Sequence, residues 1–149
     1  MRMNVAVGMV VVLALALSLR AADDKDELQK LDGTWEIAEV TFKGEKVVDE
    51  ELKKMQFVFS KDKTAIRKMD GKEVDKSTFE INPAEKPKHI DTKATQGEAK
   101  DKVELGIYEL DGDTLKICSA QIDDKKRPAT FESTKDSATT LVLLKRVKK

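Results

Sequence analysis

Few side chains in this 149-residue chain have the types and spacing that chemistry needs, and each stands apart from the partners it would require. His89 is the sole histidine, in Lys88-His89-Ile90-Asp91, with no cysteine or second histidine at metal-ligand spacing. Its expected place is on the surface or in a strand. Cys118 is the sole cysteine, so it cannot form an internal disulfide, and no histidine nearby in sequence could draw off its proton. Structural burial is the expectation for the thiol. Asp111-Gly112-Asp113 has the start of a calcium loop, but apolar and basic residues occupy the positions where further oxygen ligands belong. Its glycine and acids suit a tight turn instead. The pairs Glu50-Glu51 and Asp123-Asp124 lie in polar segments where nothing would raise a carboxyl pKa for general acid work. With no catalytic, metal or phosphate-binding constellation, the expectation is no enzyme and no cofactor.

Charge narrows the partners. Lys+Arg and Asp+Glu both number 28 and are interspersed along the chain, so no basic field exists to hold nucleic acid. The N-terminus supplies an address: Arg2 precedes an apolar run from Val5 to Leu19, broken only by Gly8 and Ser18, and acids begin at Asp23. This reads as a secretory signal peptide, since the run is shorter than the roughly 20 apolar residues of a membrane span. Ala16-Leu17-Ser18 and Ala22 both stand as cleavage positions, and no cysteine near the junction points to a lipoprotein. Residues 1–22 are therefore expected to be removed, leaving 23–149 as one exported domain, periplasmic or extracellular, without stable membrane insertion. Losing Arg2 and Arg20 leaves 26 basic groups against 28 acidic, a net charge of −2.

The elements that would position any site are mostly strands. Leu28 and Leu31 are three apart, a spacing that sets both on one side of a helical turn leading into the domain. Leu31-Asp32-Gly33-Thr34-Trp35 then opens a strand in which Trp35 and Ile37 share one face while Val40 and Phe42 share the other. Such a phase change predicts a bulge near Ala38-Glu39. Asp49 to Met55 carries an N-cap candidate, acids in its first turn and lysines in its last, which predicts one short helix after the first strand. Further strands are expected at Phe57–Phe59, Thr64–Met69, Ser77–Ile81, Lys88–Thr92, Val103–Leu110, Thr114–Ala120, Ala129–Ser133 and Thr139–Arg146, about nine in all. If Gly112-Asp113 is a two-residue turn, Leu110 faces Leu115, Tyr108 faces Ile117 and Glu109 meets Lys116. The phase change from Val103, Leu105 and Ile107 to Tyr108 and Leu110 predicts a second bend at Gly106. Short loops and the need to hide strand edges favour an all-β fold, a single antiparallel up-and-down barrel of about 8–9 strands.

Gly33-Thr34-Trp35 at the start of the first strand resembles the glycine-x-tryptophan signature of lipocalins, in which a basic residue of the last strand packs over the indole. The resemblance places Arg146 in that role, with Lys145 as the fallback. A wider set is similar to an exported lipocalin-like domain family of uncharacterised function found mostly in planctomycete bacteria. It comprises Leu31 to Trp35, Asp49 to Met55, Lys86 to Asp91, Gly106 to Lys116, Arg127-Pro128 and Leu144-Lys145-Arg146. The resemblance implies the barrel and export, and it carries over no catalytic residue.

Two readings of function follow. One is a binding module for a small apolar molecule, with Phe57, Phe59, Phe79, Tyr108 and Phe131 as candidate cavity lining. The other is a structural or protein-interaction barrel in which those aromatics simply fill the core. Bent strands that turn many apolar residues inward leave few positions for the polar groups that orient a ligand. Binding is therefore expected to be weak, shape-tolerant and near the open end.

Overall fold

The computed structural model describes residues 23–149, and the expected signal peptide, residues 1–22, lies outside them. A helix, α1, covers residues 23–31 and turns Leu28 and Leu31 toward the core. Nine strands follow: β1 (Gly33–Phe42), β2 (Glu45–Lys46), β3 (Met55–Ser60), β4 (Thr64–Met69), β5 (Lys72–Asn82), β6 (Lys88–Ala94), β7 (Val103–Asp111), β8 (Thr114–Ser119) and β9 (Thr140–Arg146). From β3 to β9 each strand pairs with the next, and β1 bridges β3 and β9. Every pairing is antiparallel. The result is a closed up-and-down barrel of eight strands, with β2 as a two-residue addition on the end of β1. Closure leaves the barrel strands without a long free edge.

Local chemistry explains the elements. Between β2 and β3 the expected short helix is a 3-10 helix, Glu50–Lys54, whose N-cap Asp49 accepts a 3.0 Å hydrogen bond from the Glu51 amide. Gly112 takes φ 57° as the first residue of the β7–β8 turn, and the strands hold the register expected from side-chain matching, with Leu110 opposite Leu115 and Tyr108 opposite Ile117. In β1 the register to β9 shifts between Ile37 and Glu39. That bulge at Ala38 lets Val40, opposite Val142, follow Trp35 and Ile37 onto the inner face.

Two expectations are corrected. Gly106 is no bend: pairing runs unbroken through it, to Ile90 on one side and Ser119 on the other. The apolar phase change there reflects two buried faces rather than one displaced face. Tyr108 and Leu110 point into the barrel, while Leu105 and Ile107 point outward beneath the chain that follows β8. Gly106 is small because a Cβ would lie 3.2 Å from the Ile90 and Cys118 carbonyl oxygens. Residues 129–133 are not a strand. With β8 already paired to β9, no edge is open to them, and residues 120–139 form an irregular cover over the outer wall. Arg127 holds this cover, reaching the Gly106 carbonyl at 2.7 Å and the Asp91 carboxylate at 3.1 Å. Ile107 and Cys118 are buried beneath it.

Candidate functional site

The barrel has two unlike ends. At the first, where β1 begins and β9 finishes, α1 closes the opening and Trp35 is fully buried. Its indole Nε1 donates to the Leu31 carbonyl at 3.0 Å, which ties the ring to the last turn of α1. The Arg146 guanidinium lies 4.3 Å from the centre of the indole ring, as the resemblance to lipocalins implied. It also donates to the carbonyls of Asp32, at 2.8 Å, and Lys30, and to the Asp113 carboxylate at 3.1 Å. Gly33 makes room for it. Its φ of 140° suits glycine, and a Cβ at this position would sit 2.8 Å from Arg146 Nη1.

Behind Trp35 the same end holds polar groups in a dry setting. Glu27 of α1 is buried and meets Lys88 Nζ at 2.8 Å. The Lys88 ammonium in turn stands 5.8 Å from the centre of the Tyr108 ring. Burial, followed by the nearby Glu27 carboxylate, pushes the Tyr108 phenol well above its ordinary pKa. Its hydroxyl has no hydrogen bond of regular geometry among the described residues.

The opposite end contains a cavity of about 190 Å³. Its floor is apolar, formed by Phe57, Phe59, Ile90, Ile117, Val142 and Leu144. Its mouth is polar, with Arg67, Asp75, Ser77, Thr92, Glu104 and Ser119. Strand alternation produces this division on β4, β6 and β8, where an inward apolar residue is followed two positions nearer the open end by an inward polar one: Ala65 by Arg67, Ile90 by Thr92, Ile117 by Ser119. Arg67 Nη2 and Asp75 Oδ2 form an ion pair of 3.1 Å. The volume is below the roughly 300 Å³ of most ligand pockets.

Protein-family models, curated proteins and solved structures were all compared with the chain, and none matches it. The site therefore rests on its geometry.

The structure divides the five aromatics expected around a cavity. Phe57 and Phe59 line it. Phe79 packs edge-on against Phe59, with ring centroids 5.3 Å apart, in the core beneath. Tyr108 belongs to the closed end. Phe131 lies on the outer cover, where Lys116 Nζ stands 5.3 Å from the centre of its ring. His89 and Cys118 fall on one outer row, each paired with Ile107 from opposite sides, so roughly 10 Å of sheet separates them. The Cys118 thiol is pushed up by burial, and its sulfur lies 3.6 Å from the Glu132 carbonyl. Among the described residues no group of three or more His, Cys, Asp or Glu is placed to hold a metal ion, and no helix is long and apolar enough to cross a membrane.

The polar mouth is what sequence reasoning missed. The bent strands were expected to leave few convergent polar groups, yet six polar residues meet there. Strand phase held a signal, since Asp75 and Ser77 share alternation with Phe79, and Thr92 with Ile90.

Proposed function

We propose that the protein is an exported, lipocalin-like binding module that takes a small, mainly apolar molecule through the open end of its barrel. The observation that carries this reading is the cavity itself, an apolar floor beneath a polar mouth, the usual division of a ligand site into a part that drives binding and a part that orients. Catalysis is not part of the proposal, because His89 and Cys118 lie on the outer wall away from the cavity. The small volume supports a short ligand held weakly.

A second reading has its own support. The large apolar residues Phe42, Val47, Val48, Val74 and Ile122 are exposed, and all belong to strand ends or loops around the open end. An interaction barrel would use that apolar rim to meet another protein.

Isothermal titration separates the two. Hexanol should bind saturably and one-to-one, and Val142→Trp, which fills the floor, should abolish the heat. Long fatty acids, retinoids and isoprenoid quinones should bind no tighter than about 1 μM, roughly −8 kcal/mol. Tighter binding of one of them would overturn the short-ligand reading, and no heat from any compound would leave the interaction barrel in front. Export is checked by the mass of the protein in the extracytoplasmic fraction, where loss of the first 18 or 22 residues is expected.

A further inference from the structure

We infer that the cavity selects short apolar molecules that carry a primary ammonium head, an inference that rests on the binding reading above. The charges at the mouth are unbalanced in one place. Arg67 is already compensated by Asp75, whereas the side chain of the half-buried Glu104 has neither a hydrogen bond nor an ion pair among the described residues. The lining therefore has one carboxylate in excess. Glu104 is paired directly with Thr92 on β6, and Ser119 on β8 stands opposite Gly106, two residues along from Glu104. Direct cross-strand neighbours are about 5 Å apart and diagonal ones roughly 7–8 Å, so the three side chains form one patch of the inner wall. Neither the Thr92 nor the Ser119 hydroxyl is engaged by another side chain among the described residues.

This patch presents three acceptors, and an ammonium presents three donors. A carboxylate head would instead meet the like charge of Glu104 and find Arg67, the one guanidinium of the mouth among the described residues, taken. A neutral alcohol could use the hydroxyls but would gain nothing from the charge. Below the patch, Ile90, Ile117 and Leu144 offer the tail an apolar floor that a charged group could not enter without partners.

The test is a titration of the ¹⁵N-labelled full chain at pH 7 with hexylamine, hexanol and hexanoate, followed by the amide resonances of Thr92, Glu104 and Ser119. Hexylamine should bind tightest, by about twofold to fivefold over hexanol, the range of a half-exposed ion pair, and hexanoate weakest. Glu104→Gln should bring hexylamine down to the level of hexanol, and Glu104→Lys should place hexanoate above hexylamine. Both variants should keep their unfolding midpoint within about 3 °C, since no described contact is lost. If Glu104→Lys fails to fold, Glu104→Gln alone decides. Equal binding of hexylamine and hexanol by the unaltered protein, or a preference that survives Glu104→Gln, would overturn the selectivity while leaving the cavity reading intact. No shift with any of the three compounds would overturn both.

Discussion

At the closed end of the barrel, Trp35 is sealed between the Arg146 guanidinium and the last turn of α1, and Leu31 and Leu115 are as fully buried beside it. At the open end the inner wall carries hydroxyls and carboxylates around a cavity, and apolar side chains such as Val48 stand in solvent. One sheet makes both, because β4 to β8 each run between a packed segment and a polar one. The difference separates residues kept for stability from residues spared for contact with something else. Groups of the first kind should be costly to alter, and groups of the second nearly free in stability.

The largest expected effect is at Trp35. Trp35→Ala removes a fully buried indole and should lower stability by about 3–5 kcal/mol, read from denaturant midpoints. A midpoint near that of the unaltered protein would break the division between the ends, since the closed end would then hold no more than the open one.

The next effects concern how Gly33 and Arg146 share space. Arg146→Ala should cost about 1–3 kcal/mol, because it loses the contact over the indole and leaves the Lys30 and Asp32 carbonyls without their donor. Gly33→Ala should cost a similar amount through backbone strain at φ 140° and the close approach to Nη1. The double variant should be less destabilised than the two losses added, by at least about 0.5 kcal/mol, since removing the guanidinium removes the clash. Strict additivity would show that strain alone keeps glycine at this position.

Much of this end could be read from residue order. Gly33, Trp35 and Arg146 are local signals within two strands, the bulge in β1 follows from its change of apolar phase, and the β7–β8 register follows from Gly112. Gly106 misled because an outward apolar face covered by a loop gives the same alternation as a bend. The cover at 120–139 was illegible for a related reason, as Ala129 to Ser133 has strand composition and only barrel closure denies it an edge. The mouth needed the pairing of five strands, β4 to β8, before Arg67, Asp75, Thr92, Glu104 and Ser119 could be seen to converge. The Glu27 pair with Lys88 joins residues 61 apart, a distance over which no local pattern speaks.

The smallest effect concerns how dry the closed end is, and pH reads it. The Tyr108 phenol has a folded pKa raised above its unfolded value of 10.0, chiefly by burial and then by Glu27, so the folded state keeps a proton that the unfolded state gives up. Stability from this group is fully present below pH 10 and falls as pH rises above it, by about 1.4 kcal/mol per unit for one proton. Cys118 shifts in the same direction from 9.0, so the comparison belongs in a Cys118→Ala background, where only the phenol differs. There, Tyr108→Phe should be neutral or stabilising by up to about 1 kcal/mol at pH 7, because it removes a buried hydroxyl that has no hydrogen-bond partner among the described residues. At pH 11 it should spare about 1.4 kcal/mol of the alkaline loss seen with tyrosine. Denaturant unfolding at the two pH values measures both quantities. If the two proteins lose stability in parallel between pH 9 and 11, Tyr108 ionises in the folded state as it does in water, and the closed end is as open to solvent as the mouth.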